Sequence, residues 1–374
     1  MNSPSLSPEK AQTTRHYTGK LFLYSLTIAS IVLVLIVLSG CSQDNTSTNI
    51  HQKQLFTFGT LIDISIVGGD QQTINQAIDT LSLEFDRLHT LWHPWNGSAL
   101  TQANHQFSSS LPFATDPSII QLIQRSQQFS RQSDGLFNPA IGRLIKLWQF
   151  DQLDNEAHQF ILPSKQSIKS LIQSNPEMSD IQVSTTSEGP SIQSKNPSVA
   201  LDFGAFAKGV AIETMMHKLK KQNIHNALIN AGGDLKVLGL KGDKPWRIGI
   251  KNPDYSLNKS RQQVLAAINL NNEEALFTSG NYERFFEYEG KRYHHIIDPL
   301  SGYPATGTRS VTVLAKDAGL ADAASTALFI AGPKRWIEIA KKMGIKHVML
   351  ISDDDTIYLS AAMAERIELL TESK

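Results

Sequence analysis

Asp322 and Thr326 are the residues whose types and spacing first suggest chemistry. They lie in "ADAASTALF", Ala321 to Phe329, a run of small apolar residues that predicts a helix. Residues four apart on a helix share a face, so both oxygens point the same way. One interpretation is a carboxylate in the first helical turn, where it suits the macrodipole, beside a tolerated threonine. The other is a pair of oxygen ligands for a hard cation such as Mg²⁺.

A second stretch, "LDFGAFAKGVAIE", has the outline of an anion site. The pattern predicts a strand that ends through Asp202 and Gly204, and a helix that starts around Lys208 and Gly209. Glycines in such a turn let the backbone approach a ligand, and the helix start offers unpaired N–H groups to a phosphate. A simple turn capped by Asp202 is an equal alternative, because the stretch matches neither the Walker motif nor the dinucleotide fingerprint.

Two glycine turns and one histidine complete the polar features. Gly232-Gly233-Asp234 is read by default as a tight turn between strands, and Ser133-Asp134-Gly135 as the end of a helix. His295, in "HHIIDPLSGYP", falls at the end of a predicted strand beside a turn. A lone histidine is usually structural, but a reference pKa near neutrality makes one in this place a candidate general base.

The elements that must position these residues are a mixture of helices and short strands. Apolar residues repeat at helical spacing in "INQAIDTLSLEFDRLHTLW", "SIIQLIQRSQQFSRQ" and "AFAKGVAIETMMHKLKKQ". A strand is predicted after Gly59, and several short strands after Ala227. The last helices are predicted near Ala321–Ile330 and Lys334–Lys342. Hairpin-linked strands favour an α+β fold with mostly antiparallel sheets, in one compact domain whose division into two lobes is left open.

The composition is that of a globular protein. Of the 374 residues, 41% are hydrophobic and 19% are charged, which permits a sizeable core and excludes a chain that is disordered throughout. Lys plus Arg and Asp plus Glu number 35 each, so the formal net charge is zero. Without a long basic run, nucleic acid is not an expected partner.

The N-terminus predicts export and lipid attachment. Lys10, Arg15 and Lys20 precede the uncharged apolar run 21–38, a pattern typical of an export signal. An uncleaved membrane anchor is the alternative. The following "LSGC" resembles the bacterial lipobox, in which the cysteine becomes the lipidated first residue of the mature protein. This favours lipidation of Cys41.

The predicted organisation is therefore a signal peptide over 1–40, a polar tether over 41–54 and a folded domain over 55–374. The tether begins at the lipidated Cys41 and holds the domain off a membrane surface. Because Cys41 is the only cysteine, no disulfide is possible within the chain.

The order of the motifs is more specific than any one of them. "FGT", "SDGLFNP", "LDFGAFAKG", "NAGGD", "TSGNYERFF", "HHIIDPLSGYP" and "ADAASTAL" together resemble the ApbE family of FAD:protein FMN transferases, over about 56–344. The resemblance implies that Asp322 and Thr326 bind Mg²⁺ with the backbone carbonyl of Ala205. It also implies an FAD site formed by Phe58, Ser133, Asp134, Gly135, Asp202, Lys208 and the backbone at Ile297.

The segment "LWHPWNGSALTQAN" matches the family less closely. Family members carry an aromatic residue and a later asparagine there, which selects Trp95 for stacking on the flavin or adenine, with Trp92 as the alternative. Asn104 is selected for a polar contact near the cation. Phe58 stands where methionine is common in the family.

The activity implied by the resemblance is a phosphoryl transfer. A threonine hydroxyl of an acceptor protein attacks the FMN-side phosphorus of FAD, AMP leaves, Lys208 holds a phosphate and His295 takes the hydroxyl proton. One alternative is an FAD pyrophosphatase giving FMN and AMP, and Asn104 is a candidate for the residue that decides between the two. The other is an FAD-binding lipoprotein without chemistry.

The resemblance also implies partners and a location. Acceptors in the family are membrane-bound redox subunits that bear a short Ser/Thr-rich motif. Together with the lipidated Cys41, they imply a protein that faces the periplasm. Ser42 is not a retention signal, but the expected acceptors favour the inner membrane over the outer one.

Overall fold

The central layer of the fold is an eight-stranded antiparallel sheet. The computed structural model describes residues 49–94, 97–153, 155, 158–187, 189–253 and 263–370. In chain order the strands are β1 (Ile50–Thr57), β2 (Thr60–Val67), β3 (Phe113–Ala114), β4 (Ile181–Thr186), β5 (Gly189–Ser194), β6 (Ala227–Ala231), β7 (Asp234–Leu238), β8 (Trp246–Lys251), β9 (Val264–Leu270), β10 (Ala275–Gly280), β11 (Phe285–Tyr288), β12 (Lys291–His294), β13 (Thr308–Ala315), β14 (His347–Ser352), β15 (Ile357–Leu359) and β16 (Ile367–Leu369). The helices are α1 (Gln71–Trp92), α2 (Ala99–Gln106), α3 (Pro117–Gln132), α4 (Gly142–Leu147), α5 (Lys165–Gln173), α6 (Ala207–Lys221), α7 (Ala318–Met343) and α8 (Ala361–Ala364).

The sheets are antiparallel and the helices flank them. The large sheet has the order β1-β2-β6-β7-β10-β13-β14-β15, and the smaller ones are β3-β5-β4, β8-β9-β16 and β11-β12. The described residues belong to one compact unit that begins at Thr48. The α+β prediction is therefore confirmed, and the described domain does not divide into two lobes.

The helices cover one face of the large sheet. Ile62, Ile64 and Ile66 alternate along β2 and are at most 1% exposed, because successive side chains of a strand point to opposite faces. Phe85 and Leu88 of α1 pack into the same core. Burial of one such side chain contributes about 1.5–3 kcal/mol. The opposite face is covered by the β8-β9-β16 sheet.

A stack of aromatic rings supports the β11–β12 hairpin. The Phe160 and Phe286 ring centroids are 4.6 Å apart with an interplanar angle of 7°, and Phe286 and Tyr293 are 5.5 Å apart. Offset stacking of such rings adds about 0.5–1.5 kcal/mol per pair beyond the area they bury. The hairpin ends at His294, so the stack fixes the place at which His295 begins the next turn.

The backbone of α7 is interrupted at Gly332. This residue has φ 65° and ψ −176°, and Pro333 follows it, so the helical path breaks between two straight halves. Proline cannot continue the hydrogen-bond ladder of the preceding turn. The two last helices predicted from the sequence are these halves.

Two predicted boundaries are wrong. Strand β1 begins at Ile50, so 50–54 belongs to the sheet rather than to the tether, because these polar residues pair with β2 at the edge. Leu201–Phe203 is not a strand; Ala200 makes an isolated bridge to Ile141, and the chain then turns into α6.

The predicted signal peptide and the lipidated Cys41 lie outside the described residues. Within the described ranges, no helix is both long enough and apolar enough to cross a bilayer.

Helices α6 and α7 approach most closely at Gly209. A Cβ added there would lie 2.4 Å from the Ala318 carbonyl oxygen and 2.9 Å from Asp322 Cβ. Only a residue without a side chain allows this crossing. The contact brings the start of α6 against the first turns of α7.

Replacing Gly209 therefore tests the helix crossing. We expect Gly209→Ala to destabilise the fold by about 1–3 kcal/mol through overpacking, although alanine is the better helix former. Gly319→Ala is the control, since its added Cβ meets the flexible guanidinium of Arg125. Denaturant unfolding measures both variants, and an equal effect of the two would contradict the assignment.

Candidate active site

The carboxylate of Asp322 caps the first turn of α6 from the neighbouring helix. The Gly209 N–H donates to Asp322 Oδ2 at 2.8 Å. Phe206, at the N-cap of α6, offers no side-chain bond of its own. Helix starts leave N–H groups without an intrahelical partner, and here a carboxylate that is 4% exposed satisfies one of them.

The same contact leaves the Ala205 carbonyl available. The Gly209 amide lies four residues after Ala205 and donates to Asp322 rather than back along the chain. Asp322, Thr326 and the Ala205 carbonyl then supply three hard oxygen donors. Mg²⁺ takes such donors in small number and completes its shell with water and phosphate oxygens. The residues present therefore fit the predicted cation.

A serine outside the predicted set touches the proposed ligands. Ser279 Oγ, near the end of β10, lies 2.7 Å from Ser325 Oγ and 3.3 Å from Thr326 Oγ1. Ser325 Oγ in turn donates to the Asp322 backbone carbonyl at 2.8 Å. These contacts fix the rotamer of Thr326 one helical turn beyond Asp322.

Lys208 lies within a cluster of carboxylates. Its Nζ is 3.2 Å from Asp234 Oδ2, and Asp234 Oδ1 accepts from the Thr278 N–H at 2.9 Å. Burial disfavours the ammonium, but the carboxylates of Asp322, Asp234 and Glu283 outweigh it and raise the pKa of Lys208. Lys208 is therefore a fixed positive charge beside the candidate cation site.

Two carboxylates of this cluster, Asp322 and Glu283, have a raised pKa and hold their protons more tightly than usual. Burial raises the pKa of Asp322, and the neighbouring Asp234 adds to the effect while Lys208 opposes it. Burial and Asp234 likewise raise the pKa of Glu283. Confined negative charge of this kind is relieved by a bound cation.

Asp202 and Asn104 shape the turn before α6. Asp202 Oδ1 accepts from the Gly204 N–H at 2.8 Å, and burial raises the pKa of Asp202. The Asn104 side chain donates to the Leu201 carbonyl at 2.9 Å and accepts from its N–H at 2.6 Å. Asn104 thus clamps the turn, and its predicted polar contact near the cation stays a prediction.

His295 presents a free ring nitrogen. Its Nδ1 lies 3.1 Å from the Arg284 carbonyl oxygen. Since a carbonyl only accepts, Nδ1 carries the hydrogen and Nε2 is left with a lone pair. Burial, reinforced by the charges of Arg284 and Lys208, lowers the pKa of His295 to about 3. The ring is therefore neutral, as a proton acceptor must be.

Phe58 occupies a strained position in the β1–β2 turn. Its φ is 52°, in the left-handed region that side chains rarely adopt, and Gly59 follows with φ 69°. The Phe58 ring contacts His89 at 5.3 Å and Trp92 at 6.1 Å. Strain held in this way is typical of functional sites.

Trp92 belongs to the core. It is 5% exposed, and its Nε1–H donates to Ser118 Oγ at 2.9 Å. Trp92 is therefore not available to stack on a ligand. Trp95, the other tryptophan considered for that role, lies outside the described residues.

The Ser133-Asp134-Gly135 turn makes contacts within the fold. Ser133 is fully buried, and its Oγ accepts from the Phe137 N–H at 3.0 Å. Asp134 pairs with Arg335 at 3.0 Å and Lys342 at 2.7 Å. Arg335 and Lys342 lie in the half of α7 beyond the break at Gly332, whereas Asp322 lies in the half before it.

Gly135, with Asp134, lines a separate cavity beside Pro299 and Leu300. The predicted contacts of this turn with FAD stay a prediction. The turn ends α3 and connects it to α7, which is the structural reading that the sequence favoured by default.

Ile297 lies two residues beyond His295. Its side chain is 4% exposed, and its backbone forms an isolated bridge with Pro304. The predicted backbone contact of Ile297 with FAD stays a prediction.

Sequence reasoning missed Asp234, Ser279, Glu283 and Arg284. Asp234 follows a glycine turn that has a sufficient structural explanation, and the others lie in "TSGNYERFF", which carries no spacing of a known site. Their roles depend on which strand ends meet at one edge of the sheet.

Comparisons with known proteins show the family of this chain. The sequence profile of the ApbE family matches residues 58–349. A relative from Rhodobacter capsulatus, named FAD:protein FMN transferase, is 36% identical over 313 residues, which are 84% of this chain and 57% of the relative. A Vibrio cholerae protein of the same name is 28% identical over 86% of this chain and 92% of its own length.

Solved structures of ApbE proteins have the same fold as this chain. The crystal structure of an ApbE protein from Thermotoga maritima superposes with a TM-score of 0.75 at 28% identity and covers 85% of this chain and 99% of its own. The flavin transferase ApbE from Vibrio cholerae superposes with a TM-score of 0.70 at 26% identity, over 85% and 100% of the two chains.

The low pKa of His295 predicts a specific acid sensitivity. Above about pH 6.5 neither the folded nor the unfolded chain protonates this ring. As the pH falls from there toward 3, the unfolded chain binds the proton first and stability is lost. His295→Gln lacks this loss, so its melting temperature should fall less than that of the wild type between pH 7.5 and pH 5. Parallel curves for the two proteins would contradict the neutral, desolvated ring.

Proposed function

We propose that this chain, which belongs to the ApbE family, transfers FMN from FAD to a threonine hydroxyl of an acceptor protein and releases AMP. The observation that carries the proposal is the convergence of Lys208 and Asp322 at one helix crossing. A fixed cation and a buried carboxylate with neighbouring oxygen donors are what a pyrophosphate and its Mg²⁺ require.

The reaction breaks the phosphoanhydride bond of FAD and forms a phosphoester bond to the threonine. The threonine oxygen bonds to the FMN-side phosphorus, and the bond from that phosphorus to the bridging oxygen breaks, so AMP leaves with the bridging oxygen. The hydroxyl proton passes to Nε2 of His295, whose lone pair is free because Nδ1 donates to Arg284. The anionic pyrophosphate adds negative charge near the ring and strengthens it as a base.

The remaining groups position and neutralise the substrate. Asp322, Thr326 and the Ala205 carbonyl would hold Mg²⁺, which would supply Lewis-acid stabilisation of the phosphate charge. Lys208, held by Asp234, binds a phosphate oxygen as a point charge. Phe58 offers an aromatic surface, and Asp202 a carboxylate, to the remainder of FAD. Phosphoryl transfer depends on such positioning more than on covalent chemistry by the enzyme.

Hydrolysis of FAD to FMN and AMP is the competing activity of the same site. The sequence left Asn104 as a residue that might have selected water over threonine. Its engagement with Leu201 gives no support to that selection. Transfer is therefore the preferred reaction, and the bound flavin is the product to look for.

The proposed location follows from the N-terminal sequence. Cys41 in "LSGC" would carry the lipid, and the domain would face the periplasm. Membrane-bound redox subunits with a Ser/Thr-rich motif are the proposed acceptors, which places the enzyme at the inner membrane. A tether that ends at Ile50 is short enough to keep the domain near that surface.

The variant Asp322→Asn tests the negative charge of this residue separately from its role in capping the start of α6. Asparagine keeps an oxygen for the Gly209 N–H but loses the negative charge, so we expect a near-normal melting temperature with transfer reduced at least 100-fold. Thr326→Val should raise the Mg²⁺ requirement with the fold intact. Transfer is measured as acid-stable flavin fluorescence of a host membrane protein on a denaturing gel.

The control for these variants is the free FMN released by each. Loss of the fluorescent band with constant release of FMN would favour the pyrophosphatase. Normal transfer by Asp322→Asn at limiting Mg²⁺ would refute the metal site.

Lipid attachment is tested independently of catalysis. Radioactive fatty acid should label the full chain and spare Cys41→Ala, because the thiol is the only one available. The variant should also leave the membrane fraction while its purified domain keeps transfer activity. Equal labelling of both proteins would end the lipoprotein proposal.

A further inference from the structure

Arg284 and His295 form the base of the β11–β12 hairpin. Arg284 directly precedes β11, and His295 directly follows β12. The carbonyl oxygen of Arg284 accepts from the His295 backbone N–H at 3.1 Å and from its Nδ1–H at 3.1 Å. These two contacts hold the ring of the proposed base, and they place the backbone of Arg284 directly against it.

The side chain of Arg284 is tied to the fold by a single hydrogen bond. Its Nη2 donates to the carbonyl oxygen of the buried Phe150 at 2.7 Å. Across the described ranges the guanidinium makes no other hydrogen bond and no ion pair, and the residue is exposed. A guanidinium carries several N–H donors in a planar fork. Most of the donors of Arg284 are therefore available to a ligand.

The charge of Arg284 acts on two groups of the candidate site. After burial, it is the largest cause of the lowered pKa of His295, and it opposes the rise that burial causes in the pKa of Asp202. Lys208 also acts on His295, but its Nζ is paired with Asp234 at 3.2 Å. Within the part of the chain that the structure describes, Arg284 is thus the cation beside the proposed base that no carboxylate pairs with.

An unpaired cation at this position is unfavourable for catalysis unless an anion joins it. A positive charge near an imidazole weakens the ring as a proton acceptor. A phosphate bound to the guanidinium would remove this effect. The reacting phosphate must also come close, because the attacking oxygen lies about 2.6–3.2 Å from the nitrogen that takes its proton and about 3–3.5 Å from the phosphorus.

We infer that Arg284 is a catalytic residue, whose guanidinium binds the non-bridging oxygens of the FMN-side phosphate and stabilises the charge that develops there during transfer. The inference rests on the proposed function, because it assigns a protein group to the phosphate of that reaction. A guanidinium can bind two phosphate oxygens at once. Together with Lys208 on α6, Arg284 supplies the diphosphate with cations from two different elements of the fold.

The variant Arg284→Ala removes the guanidinium and keeps the backbone carbonyl that holds His295. The full chain is given FAD and Mg²⁺, with and without the purified host membrane protein that the wild type renders fluorescent, and AMP release is measured. We expect kcat to fall at least about 100-fold. The Kd for FAD, measured by quenching of flavin fluorescence without Mg²⁺, should rise less than about tenfold, because the contact is strongest in the transition state.

Two further variants separate this contact from the bond to Phe150. Arg292→Ala is the matched control, because Arg292 lies on β12 of the same hairpin and packs over the Phe285 ring at 4.0 Å. It should match the wild type in kcat and Kd. Arg284→Lys keeps a donor for the Phe150 carbonyl, so its melting temperature should stay near that of the wild type. Its kcat should still fall at least about tenfold, since an ammonium lacks the planar fork.

Free guanidinium chloride, at a concentration that does not denature the protein, supplies the missing group. Restored AMP release in Arg284→Ala, without a gain in His295→Gln, supports the inference. An unchanged kcat in Arg284→Ala would overturn it. A loss of kcat that guanidinium does not restore and that follows the melting temperature would also overturn it, and would leave Arg284 with the bond to Phe150 alone.

The same measurement separates this inference from the proposed function. If AMP release depends on Arg284 but no host protein becomes fluorescent, the transferase function fails, and the phosphate contact is supported for hydrolysis of FAD. If the wild type releases no AMP from FAD, both proposals fail.

Discussion

The hydrogen bond from the Gly209 amide to Asp322 is the contact on which the rest of the site depends. It requires a glycine on α6, because any side chain would meet the Ala318 carbonyl. It also requires a buried carboxylate on α7 that turns toward the start of another helix. The small residues of "ADAASTALF" allow that approach. The helix crossing therefore fixes the Asp322 carboxylate and leaves the Ala205 carbonyl without a bond from the Gly209 amide.

Several charged groups are confined around this crossing. Lys208 faces the carboxylates of Asp234, Asp322 and Glu283, and burial raises the pKa of the last two. A divalent cation together with a diphosphate brings charges of both signs to the cluster. Binding of the cation and the diphosphate would then also neutralise the charges of the cluster. This suits a reaction that depends on electrostatic positioning.

The sequence predicts the parts of the site that local geometry determines. Asp322 and Thr326 follow from helical spacing, and the helix containing Lys208 and Gly209 follows from its apolar repeat. Ser279 and Asp234 do not, because their positions depend on which strand ends adjoin in the sheet. Motif resemblance implies an FAD contact for Ser133 and a polar contact near the cation for Asn104, but it does not predict that each side chain also binds a backbone N–H of the fold.

Residue 58 faces two opposing requirements, because a left-handed backbone favours a turn-forming residue whereas ligand binding favours the aromatic ring of Phe58. A two-residue hairpin turn of this kind is most stable with asparagine or glycine, and a bulky residue costs about 1–2 kcal/mol. An aromatic ring beside the cleft is worth keeping only if its contribution to binding exceeds that cost. In relatives that bind the flavin through other surfaces, we expect glycine or asparagine at this position. The residue type at position 58 should therefore indicate how strongly each relative depends on an aromatic contact with the flavin.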